Sequence, residues 1–184
     1  MFFIIGGVGN IFEFMRIKRL QENGVLTKTD LKRQGLLPTA ARLKKGPVVV
    51  IECVENIPCN PCAYACPRKA ITIVGNLTEI PKVDFERCNG CGVCVAQCPG
   101  LAIFVVNWAY SKKEATVTLP YELLPRPEVG ERVFGVDRSG KEVCSARVVK
   151  VLDTRVQDRC AVVTIAVPKR FYNDVRAIRL KGKG

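Results

Sequence analysis

The chain of 184 residues contains no histidine. That absence excludes His-ligated zinc, haem on an axial His, Rieske-type centres and every nucleophilic triad or dyad that uses an imidazole base. Long apolar runs are also missing. The most apolar stretch, Met1 to Met15, is interrupted by Asn10 and Glu13 and falls short of the ~20 residues a helical span needs, so no membrane span is expected. It has neither the basic leader nor the small-residue cleavage site of a secretory signal. Two readings stay open for it: a segment buried against a partner, which is favoured, or an extension upstream of a start at Met15. Aromatic residues make up 7% of the chain and do not interleave with its bases. No nucleic-acid partner is expected on that ground.

The formal charge is +12, and it is uneven. Residues 16–45 hold nine Lys or Arg against two acids, and residues 168–184 hold six against one. The stretch between is nearly balanced. Basic ends of this kind suit a solvated surface or an acidic partner subunit, and less well a nucleic acid.

Cysteine is what the chain has in excess, with ten residues. Eight fall into two blocks, each closed by Cys-Pro. The first is Cys53-x5-Cys59-x2-Cys62-x3-Cys66-Pro67 and the second is Cys88-x2-Cys91-x2-Cys94-x3-Cys98-Pro99. Iron in a cubane takes four soft thiolates in tetrahedral geometry, and the second block has the ligand spacing of such a loop. In that scheme three cysteines of a block serve one cluster and the cysteine before proline serves the other. Cluster one then takes Cys53, Cys59, Cys62 and Cys98; cluster two takes Cys88, Cys91, Cys94 and Cys66. The spacing argues against a disulfide framework, and thiolate ligands suit a reducing, cytoplasmic interior.

The first block departs from regular spacing: Asn56 stands where its first cysteine would fall, and Cys53 lies three residues earlier. Cys53 on a longer loop is the expected ligand. A three-iron centre on Cys59, Cys62 and Cys98, or a non-protein fourth ligand, stays open. Gly90 and Gly92 are expected to free N–H groups for the sulfurs of the second block, whereas Pro58 and Pro61 remove donors from the first. Fewer donors would lower the potential of cluster one relative to cluster two. Cys144 and Cys160 are expected as small buried hydrophobes, Trp108 and Tyr110 as packing residues, and Arg68, Lys69, Lys82 and Arg87 as solvated surface.

A repeat underlies the blocks. Cys59, Cys62 and Cys66 recur 32 residues on at Cys91, Cys94 and Cys98, and Cys-Pro-x-x-Ala-Ile occurs at 66–71 and 98–103. Strands are expected over Pro47–Cys53, Ile71–Val74 and Ile103–Val106, with a short helix inside each block. Thr27-x-x-Asp30 predicts a capped helix ended by Gly35, and Pro38 and Gly46 bracket a second helix at 39–45. Beyond 115, strands are expected at Ala115–Leu119, Glu131–Val136, Glu142–Leu152, Ala161–Val167 and Val175–Leu180, with a hairpin turn at Asp137–Gly140. The expected architecture is α+β: a ferredoxin-like pseudo-twofold βαβ-βαβ dicluster domain with short N-terminal helices and a C-terminal small β-barrel. The segments are 1–46 (apolar start and helical docking segment), 47–106 (cluster domain), 107–114 (linker) and 115–184 (barrel and basic tail).

Residues 47–106 resemble the bacterial two-[4Fe-4S] ferredoxin domain. The runs at 46–62 (GPVVVIECVENIPCNPC), 98–104 (CPGLAIF) and 117–122 (VTLPYE) further resemble small iron–sulfur subunits of multisubunit FAD-dependent amino-acid dehydrogenases of the D-proline, hydroxyproline and opine type. This resemblance implies two [4Fe-4S] clusters on this chain, FAD or another flavin on flavoprotein dehydrogenase partners, and a hetero-oligomer in which this subunit relays single electrons. The alternatives are a freestanding ferredoxin and, behind it, an iron–sulfur nucleic-acid-binding regulator. No residue set outside the cysteines forms an active site, so the chain is expected to transfer electrons rather than to transform a substrate itself.

Overall fold

A computed structural model describes Leu20 and residues 23–182. The expectation for Met1 to Met15 lies outside the described residues. Helix α1 (Lys28–Arg33) starts at Thr27, whose hydroxyl accepts from Asp30 N while the Asp30 carboxylate accepts from Thr27 N, the reciprocal cap the sequence predicts. Helix α2 (Ala40–Lys44) is capped by Thr39, whose Oγ1 accepts from Arg42 N at 3.2 Å. Helices this short are marginal alone. Leu31 and Leu43 anchor them by full or nearly full burial.

Among the described residues nine strands follow. They are β1 (Val48–Ile51), β2 (Ile71–Thr72), β3 (Lys82–Val83), β4 (Ile103–Asn107), β5 (Glu114–Tyr121), β6 (Arg132–Val136), β7 (Glu142–Leu152), β8 (Ala161–Pro168) and β9 (Ala177–Leu180). Two one-turn helices, α3 (Pro61–Tyr64) and α4 (Val93–Ala96), sit inside the cysteine blocks 32 residues apart. Seven strands form one antiparallel sheet in the order β1-β4-β5-β8-β7-β6-β9, and β2 and β3 pair separately.

The unbroken apolar run of β1 follows from burial on both faces. Val49 and Ile51 point toward the cysteine blocks, with Ile103 and Val105 of β4 beside them. Val48 and Val50 point the other way, against Leu43 of α2 and Val106. Strands β6, β7 and β9 bury mainly one face instead, while β5 and β8 are buried along most of their length. Val117, Leu119, Val133, Val148, Val163, Ile165 and Ile178 line one core that also takes in Phe104 of β4, while Thr118 and Thr164 join hydroxyls at 2.8 Å on the other face. Each fully buried Val, Leu or Ile contributes about 1.5–3 kcal/mol relative to exposure.

Residues of β4 and β9 meet in that single core, so the sheet curls. Its ladder nevertheless stays open, ending at β1 and β9. The five strands after 114 therefore do not close into a hydrogen-bonded ring of their own; they continue the sheet that β1 and β4 begin. The polar stretch at 107–114 is the connection of a β4–β5 hairpin, pairing Val105 with Thr118 and Asn107 with Thr116. Composition alone could not distinguish a linker from a hairpin loop, because both are polar. The strand at 71 ends at Thr72, two residues early, and Val74 is exposed. The Asp137–Gly140 turn forms as expected, with Gly140 at φ 84° and its N–H donating to Asp137 O at 3.0 Å.

Candidate functional site

Strand β1 delivers Cys53 at its end, and β4 follows directly on the turn that carries Cys98. Their antiparallel pairing, Ile51 opposite Ile103, brings the first block against the end of the second. The thiols consequently meet in two groups. Cys53 lies near Cys98 and Cys59, and Cys62 lies near Cys98, Cys59 and Cys53. Cys94 lies near Cys88, Cys91 and Cys66. Each quartet thus draws three cysteines from one block and the Cys-Pro cysteine from the other. The second quartet lines one apolar recess together with Val49, Ala70 and Ile71. Among the described residues no three ligating side chains close on the point a single metal ion would occupy. A cubane presents one iron to each of four sulfurs around a bulkier body, so its ligands stand apart.

Burial and the neighbouring cysteines push the Cys53 thiol up, the Cys62 thiol to about 11 and the Cys94 thiol to about 12. Thiols so placed resist ionising by themselves, because each thiolate would be desolvated and repelled by the next. Positive metal charge inside the quartet reverses that balance. The donor set and its arrangement fit two iron–sulfur clusters.

The same backbone device follows each Cys-Pro. Lys69 and Leu101 adopt positive φ (49° and 51°), and their N–H groups donate to Cys66 O and Cys98 O. The next N–H then reaches sulfur: Ala70 N to Cys66 Sγ at 3.3 Å and Ala102 N to Cys98 Sγ at 3.4 Å. Val49 N donates to Cys88 Sγ at 3.4 Å. Each quartet therefore receives at least one donor despite Pro58 and Pro61. The sulfur contacts do not come from Gly90 or Gly92. Gly90 instead permits a close approach of two chain segments. At φ +67° it lets the backbone pass so near Pro47 that a Cβ would sit 2.6 Å from the Pro47 Cβ. Gly92, at φ 82°, starts α4.

A buried charge cluster and a lone buried cation brace the ligand loops, and spacing arguments miss both. Beside Cys53, Glu52 accepts from Arg138 Nε (2.7 Å) and Nη2 (2.6 Å) and from Arg176 Nε (2.7 Å). Burial would raise the Glu52 carboxyl, but the two guanidiniums outweigh it and hold it below the ordinary carboxylate value. Arg176 also donates to Tyr172 O, Val175 O and Asn173 Oδ1 and lies 4.9 Å over the Phe104 ring. This network joins the start of the sheet to its end where the ladder does not. On the other side, Arg42 of α2 donates to carbonyls that include Cys88 O. The only sequence signal for either was a charge beside apolar or ligand residues, as at Glu52.

Among the remaining expected residues, Cys160 is buried and Cys144 half-buried against the sheet core; neither forms a disulfide. Trp108 packs beneath Lys169, whose Nζ lies 3.9 Å from the ring centre, but Tyr110 is exposed at the hairpin tip rather than packed. Arg68, Lys69, Lys82 and Arg87 are exposed, as expected of solvated bases. Among the described residues no helix is long and apolar enough to cross a membrane.

Comparison with known proteins agrees with this geometry. Residues 53–102 match the 4Fe-4S dicluster domain family. An uncharacterized ferredoxin of Methanocaldococcus jannaschii is 43% identical over 61 residues, covering 33% of this chain and 36% of the relative. The polyferredoxin-like subunit of an aliphatic sulfonate oxidoreductase from Pyrococcus furiosus is 37% identical over 76 residues, 38% of this chain and 43% of the relative. A ketoisovalerate oxidoreductase subunit, VorC, of Methanothermobacter marburgensis is 41% identical over 62 residues, 32% of this chain and 78% of the relative. The chain thus spans about a third of the first relative's length and under half of the second's. No solved structure matches the chain. With its cysteine repeat, its two thiol quartets and these similarities, the chain belongs to the ferredoxin-type proteins built on a 4Fe-4S dicluster domain.

Proposed function

We propose that this chain is the electron-relay subunit of a flavin-dependent dehydrogenase complex that oxidises an amino acid or related amine. Cys53, Cys59, Cys62 and Cys98 would hold one [4Fe-4S] cluster, and Cys88, Cys91, Cys94 and Cys66 the other. When bound, each cluster supplies one-electron transfer at nearly constant geometry. The observation that carries this reading is the exchange of Cys98 and Cys66 between the blocks, which ties the two quartets into one unit. The same exchange suits the pseudo-twofold layout expected from the repeat. The curled sheet after 114 then serves as a barrel-like docking module, and 107–114 as the boundary between the two parts.

Support for a complex rather than a free carrier comes from the surface. Ile57, Tyr64 and Val93, placed within the ligand blocks, are 46%, 93% and 46% exposed. Leu123 and Leu124 add a second apolar patch on the β5–β6 connection. Contact of a partner with the first group would exclude water near the quartets and shorten the electron path. Relatives named as oxidoreductase subunits agree with such an assembly. The flavin and amine context rests on the runs at 46–62, 98–104 and 117–122. A thiolate-rich site suits the cytoplasm.

Purification of the native assembly tests the proposal. A co-purifying flavoprotein that reduces these clusters on addition of an amino acid supports it. A monomer with full iron and no stable partner refutes it in favour of a freestanding ferredoxin.

A further inference from the structure

Arg42 is 6% exposed. Its guanidinium donates from Nε to Phe85 O at 2.5 Å, from Nη1 to Gly46 O at 3.2 Å, and from Nη2 to Pro47 O at 3.0 Å and Cys88 O at 2.6 Å. All four acceptors are neutral carbonyls. Among the described residues no carboxylate lies within ion-pair distance of it. The two acids flanking Phe85 are engaged elsewhere: Glu86 pairs with Lys45 at 2.7 Å, and Asp84 accepts from the Glu86 and Arg87 backbone. A buried cation is ordinarily paired. Its contact with the ligand blocks is Cys88, whose carbonyl it holds while the Cys88 sulfur accepts from Val49 N.

We propose, resting on the cluster assignment above, that Arg42 is a positioning and charge-compensating residue for the second cluster. Its planar fork fixes the Cys88 backbone between α2 and β1. Its buried charge stabilises the reduced state, which carries one more negative charge than the oxidised state, and so raises that cluster's potential. Backbone N–H groups reach two sulfurs of the second quartet and one of the first, and this cation adds to that asymmetry. An exposed base would not act this way, because water and salt would screen it.

The test is an EPR-monitored potentiometric titration of the reconstituted full-length chain as wild type, Arg42→Lys and Arg42→Gln. Cys59→Ser and Cys91→Ser variants assign the two signals. Arg42→Gln is expected to shift the second midpoint downward and leave the first in place. Arg42→Lys keeps the charge but loses the fork. It is expected to restore the midpoint while releasing iron faster to a chelator. An unmoved second midpoint in Arg42→Gln, an equal shift of both clusters, or an Arg42→Lys midpoint as low as that of Arg42→Gln overturns the proposal. If Arg42→Gln does not keep its iron, loss confined to the second cluster supports the placement and loss of both overturns it. A wild-type chain that binds no iron instead overturns the cluster assignment, and this inference with it.

Discussion

Replacing Glu52 by Gln tests whether the buried ion network fastens the two ends of the sheet. Glu52 accepts three guanidinium N–H groups at 2.6–2.7 Å, and its side chain and that of Arg176 are 7% and 5% exposed. Glutamine keeps the shape but turns an amide donor toward guanidinium donors and leaves two like charges without a carboxylate. Removing one partner of a buried pair costs about 3–5 kcal/mol. At about 2–4 °C per kcal/mol for a chain of this size, the melting temperature should fall by about 6–20 °C. Circular dichroism of the iron-loaded protein at one fixed scan rate measures it, the fixed rate being needed because loss of cofactor makes unfolding irreversible. The control replaces the whole network by apolar residues, Glu52→Leu with Arg138→Leu and Arg176→Met, and should melt above Glu52→Gln. A Glu52→Gln melting temperature within about 3 °C of wild type, or a triple variant less stable than the single one, would refute the reasoning.

Gly90→Ala should lose iron from the second quartet on reconstitution, because the new Cβ would press on Pro47 at 2.6 Å and the left-handed backbone adds about 1–2 kcal/mol. Gly92→Ala bears only the backbone cost, having open space around it, and should keep its iron. Cys53→Ala should convert the first cluster to a three-iron centre visible by EPR in the oxidised protein; an unchanged iron count would assign the fourth ligand elsewhere. At Asp137, burial raises the carboxyl, but hydrogen bonds from Ser139 and Lys141 outweigh it and lower the pKa. The stability this turn contributes is present above the ordinary carboxylate value and is lost as pH falls through the lowered one. The protection factor of the Lys141 amide, whose N–H donates to Asp137 Oδ1 at 3.0 Å, should fall over that range in wild type and stay flat in Asp137→Asn.

Local rules were enough for much of the fold. The Thr27 cap, the Asp137–Gly140 turn and strand β7 depend on residues within a few positions of one another, and they stand where the sequence predicts them. The 4Fe-4S dicluster domain was legible for the same reason: cysteine spacing is a local property, and the 32-residue repeat doubles the signal. The cofactor class, the two repeated cysteine blocks and most of the strands are thus local properties of the chain. Tertiary structure alone decided the rest. Whether the strands after 114 stand apart or extend the sheet depends on pairing between β4 and β5 and on curl, and alternation is the same in both cases. The partners of Glu52 lie 86 and 124 residues away, and Arg42 reaches Cys88 across 46. A buried charge is recognisable only once its surroundings are assembled, because nothing in its sequence neighbours tells it from a solvated one.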